Sequence, residues 1–257
     1  MLSTVASESP PSVLDAWVYG TLRSLVVQAG VYPLDVVKRR QQAADVSQNV
    51  REATQGLAQE GWRAFYRGGG TKLAKMTVSH MVRWTLLSQL PSHLRPYQFG
   101  DLREQIITGL LIAKVDAITS KHLDTKQMRA AVHGQRLSIS QMLQQGGRGY
   151  GVYWAYLSTA WCTSLVGLKY FGRSPGCEGC SAWVRDIEVG VKTGLVVSAA
   201  TIPFDCLNTV QQATDLCWGA FLRRQGVRAL FRGWPIQAVI SSIHNTGTQV
   251  TFRMLEL

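Results

Sequence analysis

The sequence has few acidic residues and few cysteines, and it lacks the catalytic and metal-binding motifs that would point to an enzyme. Lysine and arginine number 27 against 16 acidic residues, a formal net charge of +11. The five cysteines are an odd number, which argues against a disulfide scaffold. There is no Walker loop, no paired-carboxylate motif and no His-x-Glu metal helix. We therefore expect no enzyme activity, no cofactor and no bound metal, whereas the positive charge favours an anionic partner.

The N-terminal segment, MLSTVASESPPS, lacks the basic and apolar regions of a secretory signal, and it is too poor in arginine for a transit peptide. We expect any targeting information to be internal. Cys177-x-x-Cys180 is a lone CxxC without a second pair, whereas a zinc site needs about four ligands. We expect these cysteines in a loop, as free thiols or as a redox-sensitive pair.

Charged residues are also missing from two long stretches. The segment 149–168 has no charged residue over 20 positions, and 233–251 has only His244 as an ionisable residue over 19 positions. A membrane helix needs about 20 mostly apolar residues. Shorter uncharged runs at 24–34 and 193–204 each end at a Pro-x-Asp. The mean hydropathy of +0.01, which alone would favour a soluble protein, hides these candidate membrane segments.

Two sequence elements recur at one period. The segments PLDVVKRRQQ from Pro33, HLDTKQMRAA from His122 and PFDCLNTVQQ from Pro203 align on aspartates that are 89 and 81 residues apart. A second element follows each of them, and its first glycines are 85 and 80 residues apart. It reads EGWRAFYRG at 60–68, QGGRGYGVY at 145–153 and QGVRALFRG at 225–233. Two independent elements with a shared period indicate three tandem repeats.

Each repeat is predicted to contain a long helix that ends in the Asp segment, a short amphipathic helix, the Gly element and a second long helix. The predicted long helices are 13–43, 69–90, 102–131, 153–172, 183–212 and 234–257, and the short ones are 47–58, 138–145 and 214–224. We divide the chain into an N-terminal tail, 1–12, and repeats at 13–97, 98–176 and 177–257. Three helix pairs would place both termini on the same side of a membrane.

The two elements resemble the signatures of the mitochondrial carrier family. PLDVVKRRQQ matches the pattern P-x-[DE]-x-x-[KR]-x-[RK]-x-Q, and EGWRAFYRG matches [DE]-G-x4-[YWF]-[KR]-G. The third repeat matches well and the second is degraded. The resemblance implies an all-α membrane protein with six transmembrane helices in three pseudo-symmetric repeats. It also implies a monomer of the mitochondrial inner membrane, or alternatively the outer one, that transports a small anionic solute by alternating access.

In this family the Asp segments form a gate on the matrix side, where acids and bases of neighbouring repeats pair below proline kinks and glutamines brace the pairs. The positions that correspond here are Pro33, Asp35, Lys38 and Gln42, then His122, Asp124, Gln127 and Ala131, then Pro203, Asp205, Asn208 and Gln212. Gln127 and Asn208 replace bases, so three acids face one base in register. We expect a weak gate with extra partners from Lys126, Arg40 or Arg129.

The family's second network, which faces the cytosol, is degenerate in this sequence. Its positions correspond to Ser88, Arg173 and Arg253 with Glu256, and no acid occupies the first position of any repeat. Two hypotheses therefore remain. The protein transports a nucleotide, phosphate or carboxylate, or it keeps the fold without transport and acts in membrane insertion, docking or remodelling.

Transporters built from repeats bind their solute near the midplane, where the repeats meet. The family's contact positions correspond to Lys75, Ala160 with Trp161, and Ile240, and one turn further lie Ser79, Ser164 and His244. Further candidates for the funnel are Arg23, Gln28, Arg83, Lys114 and Lys192, although Arg23 and Lys192 are as easily explained by snorkelling. Because a lysine at a bilayer centre costs roughly 2.5–3.5 kcal/mol, Lys75 is the strongest candidate for binding an anion.

The resemblance also implies cardiolipin at the N-termini of the even-numbered long helices. The positions are Gly61, Arg67, Gly68, Gly146, Gly226, Arg232 and Gly233, and anchoring by a positive flank is the alternative. Arg-Gly segments also occur in nucleic-acid-binding proteins. Here they recur with the membrane repeat, so we expect no nucleic-acid partner.

Overall fold

A computed structural model describes residues 13–44, 48–94, 100–135, 137–146, 149–173, 181–214 and 216–254. In these residues the regular secondary structure is helical. The helices are α1 (Val13–Ala43), α2 (Val50–Gln59), α3 (Gly69–Leu94), α4 (Asp101–His133), α5 (Ile139–Gly146), α6 (Tyr150–Arg173), α7 (Ala182–Thr214), α8 (Trp218–Gln225) and α9 (Trp234–Met254). Short 3₁₀ helices at Trp62–Tyr66 and Val227–Phe231 lie within the Gly elements of the first and third repeats.

All nine predicted helices are present, with ends that differ by a few residues. The largest differences are at the end of α3, which extends to Leu94, and at the start of α8, which begins at Trp218. Helix α6 begins earlier than predicted because Gly149, with φ of 68°, makes the turn that precedes it. Helices α1 and α7 continue through Pro33 and Pro203, each of which removes one backbone hydrogen-bond donor from its helix.

The six long helices form a closed ring. Each packs against the next in the order α1, α3, α4, α6, α7 and α9, and α9 packs back against α1. The Asp-bearing helices α1, α4 and α7 also contact one another in pairs. The three helix pairs therefore surround a common centre, and their Asp segments meet there.

The polarity of this ring is the reverse of that in a water-soluble protein. Large apolar side chains point outwards, among them Val26 at 73% and Ile118 at 60% exposure. Charged side chains that are normally exposed are instead buried, for example Lys38 at 2% and Asp116 at 1%. The outer surface is thus suited to an apolar surrounding, and the centre is polar.

Close packing between α7 and α9 depends on two glycines one turn apart. A Cβ atom on Gly190 would lie 2.2 Å from Oγ1 of Thr246, and one on Gly194 would lie 2.4 Å from the backbone of Ser242. Small residues at this spacing let two helix backbones approach closely, as in many membrane helix pairs.

Within the described residues, one helix, α7, is long and apolar enough by composition to cross a membrane, with a mean hydropathy of 1.3 over its best window. The uncharged stretches 149–168 and 233–251, which the sequence suggested first, do not reach that level. They are rich in tyrosine, tryptophan, serine, threonine and glycine, which lower the hydropathy without adding charge.

Candidate solute cavity and ion-pair network

Three buried aspartates, Asp35, Asp124 and Asp205, lie where α1, α4 and α7 meet. Lys38 joins two of them: its Nζ donates to Oδ2 of Asp205 at 2.8 Å and lies 3.5 Å from Oδ1 of Asp35. Gln42 donates from Nε2 to the same oxygen of Asp205 at 2.9 Å. The predicted base and its glutamine therefore tie α1 to α7.

Two neutral residues stand where the other bases were expected. Asn208 donates from Nδ2 to Oδ2 of Asp124 at 3.3 Å, so an amide links α7 to α4, and Gln212 donates in turn to Oδ1 of Asn208. Gln127 is fully buried, but its side-chain amide donates to none of the three aspartates. Neutral donors make weaker hydrogen bonds to carboxylates than charged ones do.

The missing positive charge comes from residues that the repeat pattern did not assign to the gate. Arg39 and Lys72 approach Asp35, with nitrogen–oxygen distances of 3.1 and 3.8 Å, and Lys75 forms an ion pair with Asp124. We call the three aspartates together with Lys38, Arg39, Gln42, Lys72, Lys75 and Asn208 the closure network.

The expectation that Lys126, Arg40 or Arg129 would supply these partners is wrong. Arg40 binds Glu60 at 2.9 Å, and Arg129 donates to the carbonyl of Gln212 at 3.1 Å. Lys126 forms no ion pair with the three aspartates of the described network. Successive helix positions differ by about 100° in direction, so Arg39 faces the axis whereas Arg40 faces α2.

The ring of long helices encloses a cavity of about 230 Å³, and the closure network forms one end of it. All nine residues of the predicted solute site line this cavity. They are Gln28, Lys75, Ser79, Arg83, Ala160, Trp161, Ser164, Ile240 and His244. Arg23 lines it as well.

Two further funnel candidates, Lys114 and Lys192, do not line the cavity and lie on the outside of their helices. Lys114 contacts the rings of Tyr150 and Trp154, with 5.7 and 5.5 Å from Nζ to the centroids. Lys192 pairs with Glu188 one turn before it. The alternative that the sequence left open for Lys192, a side chain at the surface, is the observed one.

Positive charge predominates in the cavity wall. The lining cations are Arg23, Lys38, Arg39, Lys72, Lys75 and Arg83. Their carboxylate partners are Asp35, Asp116, Asp124 and Asp205. A cavity with excess positive charge and low-dielectric walls attracts anions.

Lys75 connects the solute positions to the closure network. It is 7% exposed, pairs with Asp124, and its Nζ lies 5.3 Å from the ring centroid of Tyr153. Tyr153 occupies the position of the missing last glycine of the second repeat, and its hydroxyl lies 2.7 Å from Oγ of Ser120. An anion that binds Lys75 must therefore compete with Asp124.

Of the degenerate cytosolic positions, Arg253 is the one whose side chain the structure describes. Arg253 pairs with Asp186 of its own repeat at 2.9 Å, and its guanidinium lies 4.8 Å from the centroid of Trp183. The side chains of Ser88 and Arg173 and all of Glu256 fall outside the described residues, as do Cys177 and Cys180.

The predicted lipid positions lie at the turns before α3 and α9. Gly61, Gly68, Gly226 and Gly233 have φ values of 94°, 79°, 72° and 77°, which side chains other than glycine rarely adopt. A Cβ on Gly233 would lie 2.7 Å from Cγ of Lys38, so this turn also supports the closure network.

The two arginines of this set are engaged within the protein. Arg67 pairs with Glu60, and Arg232 donates to the carbonyl of Ala44 at 2.9 Å. Gly146, the corresponding residue of the second repeat, is the last residue of α5.

Three helix pairs in a closed ring, apolar outside and charged inside, define a helical repeat protein built around a solute-sized polar cavity. Residues 9–98, which span the first repeat, match the model of the mitochondrial carrier protein family. Over that segment the chain is similar to mitochondrial carrier proteins. No curated protein matches the sequence.

Proposed function

We propose that this protein transports a small anionic metabolite, a nucleotide, phosphate or carboxylate, across the mitochondrial inner membrane by alternating access. The observation that carries the proposal is the cavity, which six helices surround and in whose wall cations predominate. The outer surface of the helix ring is apolar. In this proposal all six long helices span the bilayer. Among the described residues, α1, α3 and α4 have low hydropathy because residues such as Gln28, Lys75 and Asp116 face the interior. Helices α6 and α9 have low hydropathy because they are rich in aromatic, hydroxyl and glycine residues.

The closure network is proposed to be the matrix gate. In this proposal, an anion in the cavity draws Lys75 away from Asp124. The anion can also interact with Lys72, which lines the cavity one turn earlier on the same helix and pairs with Asp35. Breaking a buried ion pair by removing one partner costs roughly 3–5 kcal/mol. A solute that binds Lys75 therefore removes the stabilisation that the Lys75–Asp124 pair gives to the closed state. Binding and opening are thereby coupled.

One observation favours the second hypothesis, a carrier fold that no longer transports and acts in membrane insertion, docking or remodelling. Alternating access needs a closure at the opposite end of the cavity. Among the cytosolic-gate positions, Arg253 is the one whose side chain the structure describes, and it pairs with Asp186 of the same helix pair.

Reconstitution of the purified chain in cardiolipin-containing liposomes separates the two hypotheses. We expect exchange of a labelled nucleotide, phosphate or dicarboxylate above protein-free liposomes, and loss of that exchange in Lys75→Ala. Lys192→Ala, which removes an exposed lysine outside the cavity, is the matched control. If none of these solutes moves, the transport proposal is refuted and the second hypothesis takes its place.

We also propose that the monomer binds cardiolipin at the N-termini of α3 and α9. The turns there hold positive-φ glycines, and free backbone N–H groups at a helix N-terminus attract phosphate. Native mass spectrometry of Gly68→Ala and Gly233→Ala, compared with Gly30→Ala, tests this proposal. We expect fewer bound cardiolipin molecules in the first two variants only.

A further inference from the structure

Arg23 differs from the other cations of the cavity. Each of the other lining lysines and arginines in the described part of the chain has a carboxylate within 4 Å, whereas Arg23 has none. It lies on α1 twelve residues before Asp35, about 18 Å along the helix at 1.5 Å per residue. Its charge is therefore uncompensated at the end of the cavity away from the closure network.

The guanidinium of Arg23 is held in place by hydrogen bonds. Nη1 donates to the carbonyl of His244 at 3.1 Å and to Oγ1 of Thr248 at 3.0 Å, and Nη2 donates to Oγ of Ser24 at 2.9 Å. An arginine has five N–H donors in a planar fork. Two remain, and one of them, on Nε, is buried without a partner.

His80 offers a second unused donor beside Ser24. Its Nδ1 accepts a hydrogen bond from Nε1 of Trp84 at 3.2 Å and lies 3.4 Å from Oγ of Ser24. An indole N–H can only donate, so in the neutral imidazole the proton is on Nε2. That Nε2 is buried and has no partner, although His80 is 5% exposed and lines the cavity.

Buried donors without partners are rare in folded proteins and indicate a missing acceptor. We propose that Arg23 and His80 form an oxyanion subsite, which binds a carboxylate or phosphate group of the transported solute at the end of the cavity away from Lys75. Planar guanidinium groups match both kinds of oxyanion in a bidentate manner. The physiological ligand rests on the proposed transport function, whereas the subsite itself is defined by the unused donors.

The size of the cavity narrows the solute further. Pockets that hold drug-sized ligands have volumes of about 300–1,000 Å³, and this cavity measures about 230 Å³. One face of Trp161, the candidate stacking ring, is covered by Arg83 at 5.3 Å. A phosphate or small carboxylate therefore fits better than a nucleotide.

Ligand-dependent thermal unfolding of the full chain in detergent tests the subsite with inorganic phosphate and with succinate as separate probes. We expect both or one of them to raise the unfolding midpoint of the wild type. Arg23→Gln removes charge-assisted bonds, so the apparent Kd should rise about 10-fold or more, and His80→Phe should raise it several-fold. Lys192→Gln should leave it unchanged.

Liposome exchange measured on the same variants separates this inference from the transport proposal. A raised KM in Arg23→Gln and His80→Phe supports both. Exchange in the wild type with an unchanged KM in both variants overturns the subsite and leaves transport standing.

If a probe stabilises the wild type but not Arg23→Gln, and the wild type shows no exchange in liposomes, the subsite is supported and transport is refuted. If neither probe stabilises the wild type, the subsite is overturned. If Arg23→Gln fails to fold, Arg23→Lys and His80→Phe take its place. Arg23→Lys keeps the positive charge and removes the planar set of guanidinium donors.

Discussion

Single side chains decide how the centre of this protein is held together. Lys38 serves two aspartates on different helices, and the positions of the other two bases carry an amide each. The repeat pattern predicted the aspartates, Lys38 and two glutamines, of which Gln42 donates to Asp205 and Gln212 donates to Asn208. It could not predict that Arg39, Lys72 and Lys75 pair with these aspartates, because a repeat marks one position per helix whereas ion pairing depends on the reach and direction of each side chain.

Removing Lys38 should destabilise the folded protein more than removing any surface base. Lys38→Ala leaves Asp205 and Asp35 with less compensation in a buried site, so we expect a loss of roughly 3–5 kcal/mol. Arg40→Ala breaks the exposed pair with Glu60 and should cost about 0–1 kcal/mol. Denaturant unfolding in detergent measures both, and equal losses would contradict a closure network centred on Lys38.

Restoring a base at position 208 should strengthen the network. A lysine there would give Asp124 a charged partner on α7 in place of the amide. We expect Asn208→Lys to raise the unfolding midpoint and to slow exchange in liposomes, and Asn208→Ala to do the opposite. A lower unfolding midpoint in Asn208→Lys would contradict this prediction, because it would show that Asp124 is better stabilised by the amide than by a positive charge.

At the scale of helices, the sequence predicted position and length well and contacts poorly. Hydrophobic periodicity and the two signatures located all nine helices, because they report on one chain segment at a time. The glycine contacts between α7 and α9 and the outward direction of Lys114 depend on how two helices are rotated against each other. No pattern within one segment carries that information.

Two Gly→Ala substitutions should have opposite effects. Gly194 contacts the backbone of Ser242 on α9, whereas a Cβ on Gly30 of α1 would meet nothing within 4 Å. Gly194→Ala must push the helices apart and should lower the unfolding midpoint by several degrees, as for overpacking of about 1–3 kcal/mol. Gly30→Ala should gain up to ~1 kcal/mol from helix propensity. A neutral Gly194→Ala would disprove the close approach.

The junction of α1, α2 and α3 should respond to pH through Glu60. Burial favours its neutral form, but hydrogen bonds and charge from Arg67 and Arg40 outweigh this, and the pKa of Glu60 is lowered. A lowered pKa stabilises the folded state above the pKa of the unfolded chain, about 4.3 for a glutamate, and this stabilisation is lost as the pH falls through the folded value. The wild type should exceed Glu60→Gln in stability at pH 7, and the difference should vanish in acid. A difference that persists at low pH would argue against the ion pairs.

For the whole molecule, the reversed polarity predicts which substitutions a membrane tolerates. Val26 on α1 is 73% exposed on the outside, and Gln28, two residues later, faces the cavity. An arginine facing lipid costs about 2.5–3.5 kcal/mol or more. Val26→Arg should therefore reduce the amount of protein recovered in the membrane fraction, and Gln28→Arg should not. Equal recovery would contradict a lipid-facing outer surface.

The unequal links between the repeats have a consequence for the order of events during opening. Within the closure network, Lys38 joins the first repeat to the third and Lys75 joins the first to the second through ion pairs, whereas Asn208 joins the second to the third through an amide. We expect this amide link to part first within the network, while the two ion-paired links hold. The cavity would then open first at one side of the network, rather than widen evenly around its axis.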